Sequence, residues 1–219
     1  LSSSQIELDK ISLTTEEFHH VSRVLRLKKK EKLEIVIDES ECWEIQCSGF
    51  VGQSLVFDQK KEKVLLALPL EITLIQGIPK QDKCSSIVDD VCQCGVKEII
   101  PVFMKRTEVK WGFQKQEKLH YRWQEKASSA ARQSRLPYIP KEKPIMTFSE
   151  CISTIDWSKF DCCLVAWEEG SSMSLKKLVS KFSTVSSVCV LIGPEGGIDL
   201  NEIDVLKEKG FHVMSLGST

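Results

Sequence analysis

Leu191-Ile192-Gly193-Pro194-Glu195-Gly196-Gly197-Ile198-Asp199-Leu200-Asn201-Glu202 is the stretch on which the reading of this chain turns. The apolar residues Val188 to Ile192 that lead into it suit a strand buried on both faces of a parallel sheet. Asn201 to Lys209 read as a helix capped near its start. Between them, three glycines and a proline leave little side-chain bulk and expose backbone N–H groups, so a ligand can lie against the main chain. The spacings GxGxxG, GxxxxGK[ST] and GxSxG are absent, which weakens dinucleotide, nucleoside triphosphate and serine-hydrolase readings. Glu195 would repel a phosphate. It suits a cationic ligand such as a sulfonium cofactor, or holds the loop by accepting backbone N–H bonds. The competing reading is a purely structural strand-to-helix loop.

Outward from this turn, the pattern divides the chain near Pro69. Before it, Leu33 to Ile37, Trp43 to Cys47, Leu55 to Phe57 and Val64 to Leu68 read as strands joined by polar turns, consistent with a small β-barrel over residues 1–68. After it, residues 69–219 alternate: Ile72 to Gln76 strand, Asp82 to Cys94 helix, Glu98 to Val102 strand, a basic helix from about Gln114 to Ser134, Cys162 to Trp167 strand, Leu175 to Phe182 helix, then the quoted strand, turn and helix, then Val213 to Leu216 strand. Strands separated by helices need crossover connections, hence a mainly parallel α/β sheet with ligands at the carboxyl ends of its strands. The turns at Ala166-Trp167-Glu168, Gly193-Pro194-Glu195 and Leu216-Gly217 all follow strands and are expected to converge on one pocket.

With 219 residues and a net charge of −1, the chain is long enough for one large domain or two smaller ones. No apolar run approaches the roughly 20 residues of a membrane helix, and the polar start Leu1 to Lys10 is unlike a signal segment, so cytoplasmic residence is expected. Nine cysteines, an odd number without a CxxC pair, read as reduced core thiols; no metal site is expected, because no histidine lies near the close pairs Cys92/Cys94 and Cys162/Cys163. The small net charge hides an uneven distribution. Lys105 to Lys143 hold eleven Lys or Arg against four Glu, so this stretch is +7 and the remainder −8. Much of that charge stripes the helix, which is either a solvated face or a phosphate contact. Arg132-Gln133-Ser134-Arg135 favours RNA, since Arg forks to phosphate or base edges and Gln pairs with base edges.

The quoted stretch resembles the signature of the ribosomal RNA uridine N3-methyltransferases, a branch of the knotted SPOUT methyltransferase superfamily. The resemblance extends to Gly95 to Thr107 (GVKEIIPVFMKRT), Ala130 to Pro140 (AARQSRLPYIP), His20 to Arg26 (HVSRVLR) and the final Met214 to Thr219 (MSLGST), so it spans nearly the whole chain. It implies a SPOUT-type knotted, mainly parallel sheet with helices on both faces, preceded by a PUA-like β-barrel RNA-binding domain. It further implies an S-adenosylmethionine-dependent enzyme that methylates N3 of one uridine in 16S ribosomal RNA and acts as a homodimer, with no membrane or metal partner. The cofactor would be gripped, largely by backbone groups, at Ala166, Trp167, Ile192, Gly193, Pro194, Glu195, Gly196, Leu216 and Gly217. Arg23, Arg26, Arg106, Gln133 and Arg135 would handle RNA. The family continues beyond Leu216-Gly217 with a stretch and helix that complete the knot, and the chain stops short of them. It also departs from the family at Asp90 and Gln93-Cys94, and in a shorter loop between Gln133 and Pro137.

The chemistry such an enzyme needs is modest: a sulfonium methyl is a strong electrophile, so an in-line nucleophile at about 3 Å with water excluded suffices. Deprotonating uracil N3 is harder. An arginine beside the exocyclic oxygens would stabilise the anionic base, with Arg135 the first candidate and Arg106 the second. Guanidinium stays protonated, so proton removal falls to Glu195, to another residue or to water. Two other readings stand beside this one: a SPOUT enzyme that methylates a transfer-RNA ribose 2′-hydroxyl, and a non-catalytic RNA-binding module.

Overall fold

In a computed structural model the described residues are 1–64, 68–80, 83–168, 173–174 and 184–215. They fall into two compact units, Leu1–Ala67 and Leu68–Thr219.

The first unit holds β1 (Ile6–Glu7), β2 (Lys10–Ser12), the short helix α1 (Thr15–His19) continued by a wider π turn at His20–Val24, β3 (Lys32–Ile37), β4 (Glu41–Val51) and β5 (Ser54–Lys63). Thr14 and Glu17 form a reciprocal capping box that starts α1. All strand pairs are antiparallel, in the order β1-β2-β5-β4-β3. Inward residues Ile11, Ile35, Ile45, Cys47, Leu55 and Phe57 make the core. Among the described residues the closed barrel expected from the sequence is not formed: β1 and β3 remain the two edges, and the end of β3 is met by residues near Leu1, through bonds such as Asp38 N–H to Leu1 O. Strands β1 and β2 are too short, at two and three residues, to carry a ladder around to β3. Val64 lies outside any strand, and residues 65–67 of the expected fourth strand lie outside the described residues.

The second unit is an α/β sheet in which every described strand pair is parallel. Its elements are β6 (Glu71–Gly77), α2 (Lys83–Gln93), β7 (Glu98–Phe103), α3 (Phe113–Gln133), β8 (Lys141–Glu142), β9 (Met146–Thr147), α4 (Phe148–Thr154), β10 (Cys162–Ala166), β11 (Met173–Ser174), β12 (Ser187–Ile192), α5 (Leu200–Glu208) and β13 (His212–Ser215). The order is β11-β13-β10-β12-β6-β7-β8, with β9 also on β7. Alternate residues of the same strands face opposite cores. Ile75, Ile100, Val165 and Leu191 pack with Cys151 of α4 and Ile203 and Leu206 of α5. Leu74 and Ile99 pack with Cys84 and Val88 of α2 and Trp123, Ala127 and Ala130 of α3. Helices therefore cover both faces, which explains the unbroken apolar runs of these strands. The nine cysteines are unbridged and seven are buried. The helix expected at Leu175 to Phe182, and the knot-forming residues from Leu216 on, lie outside the described residues.

The strand order fixes where a site can be. After β6 the chain steps outward to β7, and it later returns on the other side as β10, leaving a slot that β12 fills. The carboxyl ends at such a reversal diverge into a crevice.

Candidate functional site

The strand ends are in register. Ile192 is paired with Ala166 on one side and Gln76 on the other, and Ala166 with Met214. Two of the three expected turns, at Ala166-Trp167-Glu168 and Gly193-Pro194-Glu195, thus leave the sheet side by side. The third, Leu216-Gly217, lies outside the described residues.

The glycine turn is seated on its neighbours by the absence of side chains. A Cβ on Gly77, at the end of β6, would lie 2.6 Å from the ring Cδ and the backbone N of Pro194. A Cβ on Gly193 would lie 2.6 Å from Ile198 Cγ1, and one on Gly196 2.8 Å from the carbonyl oxygen of Arg106. Gly197 closes the turn by donating its N–H to Pro194 O (2.9 Å) with φ +75°, a conformation that costs glycine nothing. Asp199 then caps α5 in a reciprocal box with Glu202.

Charged groups fasten this turn to two other loops. Glu195 accepts the Lys80 N–H at 2.8 Å and pairs with Lys83 Nζ at 2.9 Å. Burial alone would push the Glu195 carboxyl up, but the hydrogen bonds from Lys83 and from the Lys80 N–H outweigh it and hold it below the usual carboxylate range. On the other side Arg106 Nη1 donates to Gly196 O at 3.3 Å. Lys105 Nζ pairs with Asp199 Oδ2 at 3.0 Å, which with the cap bond holds the Asp199 carboxyl low.

Trp167, half-buried beside this turn, donates its backbone N–H to Met214 O at 3.1 Å. Its indole Nε1 is buried and has no acceptor among the described residues. A buried donor without a partner is costly, so this atom calls for an acceptor beyond the described residues, such as a ligand or water. A cleft of about 630 Å³ also adjoins the turn. Ile72, Leu74, Val190 and Ile192 of the sheet, Ile87 and Val91 of α2, and Gly193 to Glu195 line it.

The other expected residues are distributed differently. Arg106 sits at the glycine turn, half-buried. Gln133 and Arg135 are exposed at the far end of α3, where Leu136 N–H closes on Ala131 O and Arg135 adopts φ +54°. That end lies by the start of β7, since Tyr138 Oη donates to Gly95 O and β8 pairs with Glu98 and Ile99. The glycine turn is at the opposite, carboxyl end of the sheet. Within one chain Arg106, and not Arg135, is therefore brought to the turn. Arg23 and Arg26 are exposed in the first unit, in and just after the π turn. Reading the sequence alone missed Gly77, Lys80, Lys83 and Glu202. Gly77 ends an apolar strand, a usable signal for close backbone approach, whereas the lysines carry none.

A parallel α/β sheet with a glycine turn at its switch point, beside an arginine and an indole donor without an acceptor among the described residues, defines a protein that binds a small ligand against backbone at the carboxyl ends of its strands. The sequence profile of the RNA methyltransferase domain matches residues 66–219, so the chain belongs to that family. Ribosomal RNA small subunit methyltransferase E of Bacillus subtilis (strain 168) is 29% identical over 227 residues, covering 99% of this chain and 86% of the relative. A crystal structure of a hypothetical protein superposes with a TM-score of 0.85 at 25% identity, over 97% of this chain and 85% of the other. The Neisseria gonorrhoeae ribosomal RNA small subunit methyltransferase E, solved bound to S-adenosyl methionine, shares the fold at a TM-score of 0.79 and 22% identity, over 100% of this chain and 89% of that one.

Proposed function

We propose that this chain methylates N3 of a uridine in 16S ribosomal RNA, with S-adenosylmethionine as the methyl donor. The observation that carries the reading is the glycine turn at the switch point, where main chain without side-chain bulk meets the Arg106 side chain, beside the β10 turn whose Trp167 indole N–H has no acceptor among the described residues. These residues fit the cofactor. Gly193 and Gly196 let the turn close onto Ile198 and Arg106 with no side chain of their own over its main chain, Ala166 and Ile192 would flank the cofactor, Trp167 Nε1, without an acceptor among the described residues, would offer it a donor, and no phosphate-binding spacing competes. When bound, the cofactor supplies an electrophilic methyl group.

The chain's own groups supply orientation and charge. Arg106 holds positive charge at the turn, suited to the exocyclic oxygens of a uracil that has lost its N3 proton. Glu195 is engaged by two donors and held acidic, so it braces the turn, and the N3 proton passes to water or another group. Arg23, Arg26 and the exposed face of α3, with Gln133 and Arg135 at its end, are assigned to ribosomal RNA. A homodimer in which Arg135 serves the turn of a second copy would account for its distance from the turn of its own chain. The reaction belongs in the cytoplasm, on the small ribosomal subunit or a precursor. Residues 1–68 act as the PUA-like RNA-binding domain and 69–219 as the knotted SPOUT domain.

Calorimetric titration of S-adenosylmethionine into the full-length protein tests the reading. One cofactor per chain is expected, and no binding would overturn it.

A further inference from the structure

Glu202 is a carboxylate in the interior, 7% exposed, at the third position of α5. One of its oxygens serves the helix itself, for Oε2 accepts the Asp199 N–H at 3.2 Å and completes the capping box. The other is committed elsewhere. Oε1 accepts the backbone N–H of Lys105 at 2.8 Å, across 97 residues of sequence. The Lys105 side chain returns the contact by pairing with Asp199. Capping a helix requires only the first oxygen, so the second is spent on the backbone of the loop that follows β7.

What that loop carries next is Arg106. Its carbonyl oxygen lies 2.8 Å from where a Cβ on Gly196 would stand, and its guanidinium donates to Gly196 O at 3.3 Å, a long bond that a substrate acceptor could replace. We propose that Glu202 is a positioning residue: by gripping the Lys105 N–H it fixes the backbone from which Arg106 reaches over the glycine turn, so Arg106 meets the RNA base in one orientation. This rests on the methyl-transfer reading of the same turn. Its physical basis is that a charge-assisted bond to a buried carboxylate is stronger than a neutral one and removes backbone freedom before substrate arrives.

A double-mutant cycle between Glu202→Ala and Arg106→Ala tests it, read both as methyl transfer to small-subunit RNA and as RNA affinity by fluorescence anisotropy. Each single variant is expected to lower kcat by about 10- to 100-fold and to weaken RNA binding severalfold, and the double variant to be no worse than Arg106→Ala alone. Losses that multiply would show that Glu202 supports only the helix, and would overturn the proposal. Should Glu202→Ala fail to fold, Glu202→Gln replaces it. Its one carbonyl oxygen can serve Lys105 or Asp199 but not both, so a smaller loss, again absent in the Arg106→Ala background, is expected, and an equal loss in both backgrounds would contradict it. A wild-type protein that transfers no methyl group, yet keeps the coupling in RNA affinity, would overturn the enzymatic reading and leave the positioning role standing. No coupling in either readout would overturn the positioning role.

Discussion

A methyl group added at Gly196 has nowhere to go, because the atoms it would meet are the Arg106 carbonyl oxygen at 2.8 Å and Arg106 Cβ at 3.2 Å. Gly196→Ala must therefore displace the turn, at about 1–3 kcal/mol of stability by the cost of overpacking. Its affinity for S-adenosylmethionine is expected to fall at least tenfold in calorimetry, and unchanged affinity would remove the turn from the binding site. Glu195 presents the opposite case. As a general base its removal would cost about 10²- to 10⁴-fold in rate. As a brace, Glu195→Gln should lose less than tenfold in kcat with no new ionisation in the pH–rate profile, since a half-exposed pair such as Glu195–Lys83 contributes under about 1 kcal/mol. The glycine turn was legible in the sequence because small residues gathered between a strand and a helix signal close approach to the backbone. Its fastenings were not: Lys80, Lys83 and Lys105 are ordinary surface lysines until the fold puts carboxylates beside them.

Among the elements, β8 was not read from the sequence, and neither were β1, β2, α1, β9, α4 and β11. Lys141-Glu142-Lys143 belongs by composition to a solvated basic stretch, yet as a two-residue strand beside β7 it alternates, and Glu142 turns inward while both lysines stay outside. Both Glu142 carboxylate oxygens are buried without a partner among the described residues, and burial pushes its pKa up to about 8. The folded protein thus binds a proton that the unfolded chain, titrating near 4.5, releases earlier. Stability from this group is fully present below about pH 4.5 and is lost as pH rises towards 8. Glu142→Gln should flatten that slope and, at pH 8, raise stability by about 3 kcal/mol, as read from urea unfolding at pH 5 and pH 8. Equal gains at both pH values would show that Glu142 is not protonated in the fold. The long helices were legible because their periodicity runs over many residues, and α3 lies within one residue of the expected span, whereas β4 and β5 run well beyond the expected Trp43 to Cys47 and Leu55 to Phe57. Short strands carry too few residues for a period to register.

For the whole molecule, the parallel sheet was legible because strands separated by helices admit little else, whereas the open edges of the first unit were not: a barrel was expected, but closure depends on the edge strands, and β1 and β2 are short. The site was half legible. Pattern reading aligned the turns that follow β10 and β12, but it joined Arg135 to them, and only the direction of α3 separates that residue from the turn within one chain. The basic face should make RNA binding steeply salt-dependent, with Arg23→Ala and Arg26→Ala each reducing the slope of log affinity against log salt by about 0.7 to 0.9 if each contacts one phosphate. An unchanged slope would remove the first unit from the RNA contact. The most direct test of the central claim is transfer of isotopically labelled methyl from S-adenosylmethionine to small-subunit ribosomal RNA, with the product nucleoside identified by mass spectrometry. Label in N3-methyluridine at one site is expected. Label on a ribose hydroxyl, or none at all, would contradict it.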